Sequence, residues 1–175
     1  IRIARVPEHI VGPEFAKRLE AAGVSALAVH GRSASQLYRG QSSLDQVCAV
    51  ANAVSTPVIG SGDVLTPEAA ALMVAQTPCL GAYVARGSYG NPWLFHDAAQ
   101  LLQGKPAAKH DIIQRLNAFE LYVRLLVATG AHLARARSLA GWYLRGIPQA
   151  AAWRQKAVSC NSAQEYYELI AQVKD

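Results

Sequence analysis

Through residues 1–104, short apolar runs alternate with stretches whose apolar positions recur at helical spacing. Ile1-Arg2-Ile3-Ala4 reads as a short strand. Pro13 to Ala22 reads as a helix with Phe15, Ala16 and Leu19 on one face and Gly23 as its stop. Ala26-Leu27-Ala28-Val29 is a buried-type strand that ends at His30-Gly31-Arg32. Ser43 and Leu44 open a helix to about Ala53, with Leu44, Val47, Cys48 and Ala51 inward. Thr56 to Ile59 is the third strand, ending at Gly60-Ser61-Gly62-Asp63. Thr66 is a good N-cap and Pro67 suits the first helical position of the next helix. Leu80 to Ala85 is the fourth strand.

Near-continuous apolar strands alternating with amphipathic helices predict a parallel sheet covered by helices. The repeat of roughly 25–30 residues is that of a (β/α)₈ barrel, and four units make half of one. A doubly wound open sheet is the alternative. It normally carries a glycine fingerprint after its first strand, and none appears there. Gln103-Gly104-Lys105-Pro106 breaks the pattern. Beyond it, helices are expected over His110–Thr129, Leu133–Leu144, Ala150–Val158 and Ser162–Val173. The expected fold is therefore α/β: the second half of a TIM barrel over residues 1–104, followed by a small all-α helical bundle over 105–175.

Half a barrel leaves strand edges open, which predicts association with the missing half or self-association. The chain begins at Ile1, inside an apolar alternation, and its only methionine is Met73, so it reads as a piece of a longer protein or a truncated gene product. No apolar run is long enough to span a bilayer. Cys48, Cys79 and Cys160 are scattered without metal-ligand spacing and read as reduced, buried residues of a cytoplasmic protein.

Charge separates the two parts. Residues 1–104 carry 7 Lys/Arg and 7 Asp/Glu, while 105–175 carry 10 and 5, so the whole net charge of +5 lies in the tail. From Gly130 to Asn161 there is no acidic residue, but Arg135, Arg137, Arg145, Arg154 and Lys156 are basic. Such a segment suits a polyanion partner as well as it suits a solvated helix face.

The chemistry is concentrated in Tyr83 to Trp93. A short apolar run stops at Arg86, and Gly87, Gly90, Asn91-Pro92 and a helical pattern follow. Glycines let N–H groups approach an anion, arginine adds charge, and a helix start adds a positive dipole end. This is the chemistry of a phosphate pocket at the carboxyl end of a strand, the position where barrels often bind phosphate after strands 7 and 8.

The order Val29-His30-Gly31-Arg32, Ser61-Gly62-Asp63, Ala85-Arg86-Gly87-Ser88-Tyr89-Gly90-Asn91-Pro92-Trp93, Gly141-Trp142-Tyr143-Leu144-Arg145-Gly146 and Trp153-Arg154 resembles the flavin-dependent tRNA dihydrouridine synthases over nearly the whole chain. The resemblance implies an FMN-binding barrel with a helical domain that holds tRNA. It implies reduction of uridine to 5,6-dihydrouridine, with NADPH recharging the flavin. It places Ala85 and Arg86 at the FMN phosphate, Ala85 standing where glycine is usual. Ser61, Gly62 and Asp63 match an Asn-Gly-Asp motif, with a helix-entry carboxylate as the plainer reading of Asp63. His30 matches a histidine near the flavin, although a strand-end histidine is also often satisfied by backbone. Arg2 replaces a lysine that contacts the flavin, and the swap is not neutral. Ala4 replaces a usual arginine, and Leu80 an aspartate.

By the same resemblance Arg32 faces the RNA backbone; in the basic tail, Arg135, Arg137, Arg145 and Arg154 are the candidate phosphate contacts. Trp93, Trp142 and Tyr143 read as packing residues ahead of flavin or base stacking. The family's proton-donating cysteine comes from the first half of the barrel, so none of Cys48, Cys79 and Cys160 is expected to be catalytic, and turnover by these residues alone is not expected. The alternatives are a non-catalytic tRNA-binding fragment, or another FMN-dependent TIM-barrel oxidoreductase.

Overall fold

The computed structural model describes residues 1–175. Three parallel strands, β1 (Leu27–His30), β2 (Val58–Ser61) and β3 (Gly81–Tyr83), form one sheet in chain order. Their crossovers are α2 (Leu44–Ala53) and α3 (Pro67–Ala75), with α1 (Gly12–Ala21) before β1 and α4 (Leu94–Leu102) after β3. In register, Leu27 faces Val58, His30 faces Ser61 and Ser61 faces Tyr83. Every strand therefore presents its carboxyl end along one rim.

Residues 1–4 do not form the expected first strand. Arg2 makes one isolated parallel bridge to His30, and Ala4 one antiparallel bridge to Ile10. The Ile3 carbonyl accepts from the N–H groups of Val11 and Gly12 at 3.1 and 2.9 Å, so it serves the start of α1 rather than a ladder. The last strand is also shorter than Leu80–Ala85. The Ala85 carbonyl accepts from the Ser88 N–H at 3.1 Å, which turns the chain into a 3-10 turn over Arg86–Ser88.

Leu27, Val29 and Val58 pack under the helices with Val47, Val50, Met73 and Leu94. A side chain at Gly60 would run into Met73, so helix α3 lies close against β2 there. The other sheet face is not covered as continuous apolar strands predict: Ala28 and Tyr83 are exposed and Ile59 is half-buried. Local capping matches local sequence. The side chains of Ser43 and Thr66 accept from the N–H groups of Gln46 and Ala69 at the starts of α2 and α3.

Contacts divide the chain into two units, 1–88 with 93–107, and 89–92 with 108–175. The second unit holds α5 (Ile112–Ala128), α6 (Ala134–Tyr143), α7 (Ala150–Ser159) and α8 (Ala163–Lys174). Asp111 and Gln114 form a capping box at the start of α5. Phe119 stacks on Tyr143 at 4.9 Å and meets Tyr166 edge-on at 5.9 Å. Within this unit Tyr89 meets Trp142 edge-on, and the backbone of Gly90, at φ +67°, lies against the backbone of Trp142 and Tyr143.

Candidate functional site

His30 closes β1 and Ser61 closes β2, so the register alone sets them side by side. Nδ1 of His30 lies 3.3 Å from Oγ of Ser61, while its Nε2 is buried with no hydrogen-bond partner. Burial pushes the His30 pKa down, and the charges of Arg2, Arg32 and Arg86 push the same way against the opposing pull of Asp63. The imidazole is thus neutral near pH 7, with one ring nitrogen left over for a further partner.

Arg2 follows from the bridge beside β1. Its Nη1 donates to the carbonyls of Ser33 at 2.6 Å and Leu37 at 3.4 Å, so it braces the loop after β1. That loop returns to the rim at Ser42. Gly62, at φ +116°, has no room for a side chain between Ser42 and His30.

Asp63 (φ +52°) receives the loop after β1 at two points. Nη2 of Arg32 lies 2.8 and 2.7 Å from its two carboxylate oxygens, and the Ser42 N–H donates to it at 2.8 Å. Burial raises the Asp63 pKa, but the Ser42 N–H and the Arg32 and Arg86 guanidinium groups outweigh it and hold the carboxyl below its ordinary value.

The expectation that Arg32 faces RNA is corrected. Its side chain is only 3% exposed, and it also donates to the carbonyls of Arg39 and Gly40 at 3.3 and 2.7 Å. A guanidinium committed to a carboxylate and two carbonyls is not available to a phosphate backbone.

Arg86 completes the rim from the 3-10 turn after β3. It sits 3.7 Å from the Asp63 carboxylate and 5.0 Å from the ring centroid of Tyr38, with 41% of its side chain exposed. Gly87 is buried, and a methyl group there would strike the Val64 carbonyl and the Leu65 backbone. Helix α4 begins at Leu94, where the helical pattern after Asn91-Pro92-Trp93 predicts it, and the 3-10 turn over Arg86–Ser88 lies between it and β3. The 3-10 turn is the local element that carries Arg86.

The structure thus brings Arg2, His30, Ser61, Gly62, Asp63, Ala85 and Arg86 to one rim, with Arg32 as an internal brace. Tyr38 and Ser42 also belong there, and the sequence reading did not single them out. Tyr38 is 72% exposed in a polar loop, and that mismatch of aromatic and surroundings was the available signal. Cys48 lies on α2, Cys79 is buried against Gly60 ahead of β3, and Cys160 is buried after α7; none is on the rim. No group of His, Cys, Asp or Glu has metal-binding geometry, and no helix is long and apolar enough to cross a membrane. In the second unit Arg135, Arg137, Arg145 and Arg154 are exposed on or beside α6 and α7, and Arg137 also donates to the Cys160 carbonyl at 3.2 Å. Tyr143 is core, as expected, and Trp142 is 36% exposed.

A family model for dihydrouridine synthase (Dus) matches residues 1–175. Among similar proteins, the tRNA-dihydrouridine synthase B of Pseudomonas syringae pv. tomato is 36% identical over 149 residues, covering 82% of this chain and 44% of that protein. The tRNA-dihydrouridine synthase B of Shewanella oneidensis is 32% identical over 174 residues, covering 97% of this chain and 54% of its own length. A probable tRNA-dihydrouridine synthase 1 of Synechocystis is 32% identical over 162 residues, covering 91% and 46%. The chain spans about half the length of the curated relatives it matches. On the match across its whole length, the chain belongs to the dihydrouridine synthase family.

Proposed function

We propose that residues 1–104 are the second half of an FMN-binding (β/α)₈ barrel, and residues 105–175 a helical tRNA-binding bundle. Together they serve a cytoplasmic enzyme that reduces uridine in tRNA to 5,6-dihydrouridine. The observation that carries this reading is the buried, unpartnered Nε2 of His30 on a rim that also holds Arg2 and Arg86. A lone buried polar nitrogen is costly unless something meets it, and a flavin ring offers polar atoms at its edge.

FMN, when bound, supplies the hydride taken from NADPH and given to C6 of the uracil. Arg86 and the backbone N–H groups of Ala85 and Gly87 hold the phosphate, with Ala85 leaving less room than glycine. We assign the Ser61 hydroxyl as donor to Nδ1 of His30, which leaves Nε2 carrying a hydrogen to offer the ring. Arg2 adds positive charge where negative charge develops on a reduced flavin. Gly62 lets Ser42 pack closely against the strand end beside His30. Arg135, Arg137, Arg145 and Arg154 bind tRNA phosphates, holding the RNA while a uridine leaves its stack.

The acid that protonates C5 is not assigned to Cys48, Cys79 or Cys160, none of which reaches the rim. Residues 1–175 alone are therefore not expected to turn over. NADPH-dependent dihydrouridine formation in unmodified tRNA tests this; multiple turnover by residues 1–175 would contradict it.

A second reading, tRNA binding without catalysis, is favoured by the exposed arginines of α6 and α7. A gel-shift salt series decides between the two. Tight, salt-sensitive tRNA binding with no FMN binding supports the second reading, and binding of both supports the first.

A further inference from the structure

Three strand-end loops meet at one carboxylate. The loop after β1 reaches Asp63 twice, through Arg32 Nη2 at 2.8 and 2.7 Å and through the Ser42 N–H at 2.8 Å. The turn after β3 reaches it through Arg86, at 3.7 Å. The two sets of contacts differ in kind. Arg32 is buried and within hydrogen-bond distance, so it fixes the carboxylate in place. Arg86 lies beyond hydrogen-bond distance and also meets the Tyr38 ring at 5.0 Å.

An arginine gripped bidentately by a carboxylate has spent the fork that a phosphate needs. Arg86 is instead held by two weak, largely non-directional attractions, one ionic and one cation–π. Its donors remain uncommitted, while its range of rotamers is cut. Asp63 itself occupies a left-handed backbone conformation that disfavours side chains other than Asn, Asp and Gly. Retaining a carboxylate there, locked by a buried arginine, has its effect at Arg86.

We propose that Asp63 is a positioning residue for Arg86: with Tyr38 it parks the guanidinium at the rim, donors free, for a phosphate-bearing ligand. This rests on the flavin reading above, and it changes the expected role of Asp63 from cofactor contact to the support behind one. Binding exchanges the loose Asp63 contact for direct phosphate bonds, and pre-orientation lowers the entropy cost of that exchange.

The test uses the 175-residue chain with FMN and with riboflavin, which has no phosphate, followed by quenching of flavin fluorescence. Asp63→Asn keeps the backbone preference, the shape and an amide oxygen that can accept from Arg32, but removes the charge; its urea unfolding separates lost stability from lost affinity. It is expected to weaken FMN about 10-fold, a coupling of ordinary size for neighbouring charged groups, and to leave riboflavin unchanged. Tyr38→Leu is expected to weaken FMN about 3-fold, with Tyr38→Phe close to wild type because the ring is kept. Asp63→Asn combined with Arg86→Ala is expected to be no weaker than Arg86→Ala alone.

Equal loss of FMN and riboflavin in Asp63→Asn, or full additivity with Arg86→Ala, overturns the proposal. A second readout works without ligand: the Arg86 side-chain Nε–H signal in nuclear magnetic resonance. It is expected to be sharp in wild type and broadened in Asp63→Asn and Tyr38→Leu. If wild type binds neither flavin, the flavin reading fails. The Arg86 signal still decides the positioning: no change on Asp63→Asn overturns it.

Discussion

His30 and Ser61 stand opposite each other where β1 and β2 end, with the imidazole Nδ1 3.3 Å from the hydroxyl oxygen. Burial first, then the neighbouring arginines, hold the His30 pKa below 6.5. The folded chain therefore binds this proton less readily than the unfolded chain. The stability from His30 is fully present above pH 6.5 and is lost as pH falls toward the lower folded value. A proton–carbon resonance titration of the His30 ring should give a midpoint below 6.5. A midpoint at or above it contradicts the assignment of a neutral imidazole.

Arg32→Ala should be among the most damaging changes on the rim. It removes the partner of Asp63 and two carbonyl contacts, at a cost of about 2–4 kcal/mol, somewhat below the range for fully buried pairs because Asp63 is partly solvated. Arg32→Lys should recover little, since an ammonium does not reproduce the fork. Urea unfolding measures both. A loss under about 0.5 kcal/mol for Arg32→Ala, the level of an ordinary surface change, would mean the pair is not structural.

Gly87 and Gly81 provide an internal comparison. A methyl at Gly87 meets backbone atoms of Val64 and Leu65 that have no rotamer to relax into, while one at Gly81 meets nothing within 4 Å. Gly87→Ala should cost about 1–3 kcal/mol by overpacking. Gly81→Ala should be neutral or slightly stabilising. Thermal melts of the two variants check the order, and equal melting temperatures would refute it.

The outer edge of β3 is open, and Leu80 and Tyr83 beside it are 73% and 59% exposed. An unpaired edge with apolar neighbours favours pairing with another chain. Sedimentation velocity should show concentration-dependent association of residues 1–175, reduced by Tyr83→Lys. A monodisperse monomer with a cooperative melt would contradict this.

Much of this fold was legible because local signals and the apolar period agreed. Thr66-Pro67 marked the start of α3, and alternating strands and helices marked the parallel sheet. Signals failed where a backbone group had a competing partner. Ile1–Ala4 looks like a strand, but the Ile3 carbonyl is taken by the start of α1. Leu80–Ala85 looks like one strand, but it ends at Tyr83, and the Ala85 carbonyl closes a 3-10 turn ahead of the expected helix. The rim residues were found by motif, whereas their roles depend on contacts between loops. Arg32 is two residues from His30, yet its partner is Asp63, 31 residues away. No spacing rule separates an arginine that turns inward to such a partner from one that faces RNA.

The central claim is that the strand-end rim binds the phosphate end of FMN. Amide chemical-shift mapping of the 175-residue chain during titration with FMN, with riboflavin as control, tests it directly. The account predicts shifts centred on Ser61–Asp63 and Ala85–Ser88 with FMN, much weaker with riboflavin, and abolished by Arg86→Ala. Equal shifts with both compounds, or FMN shifts elsewhere that survive Arg86→Ala, would contradict it.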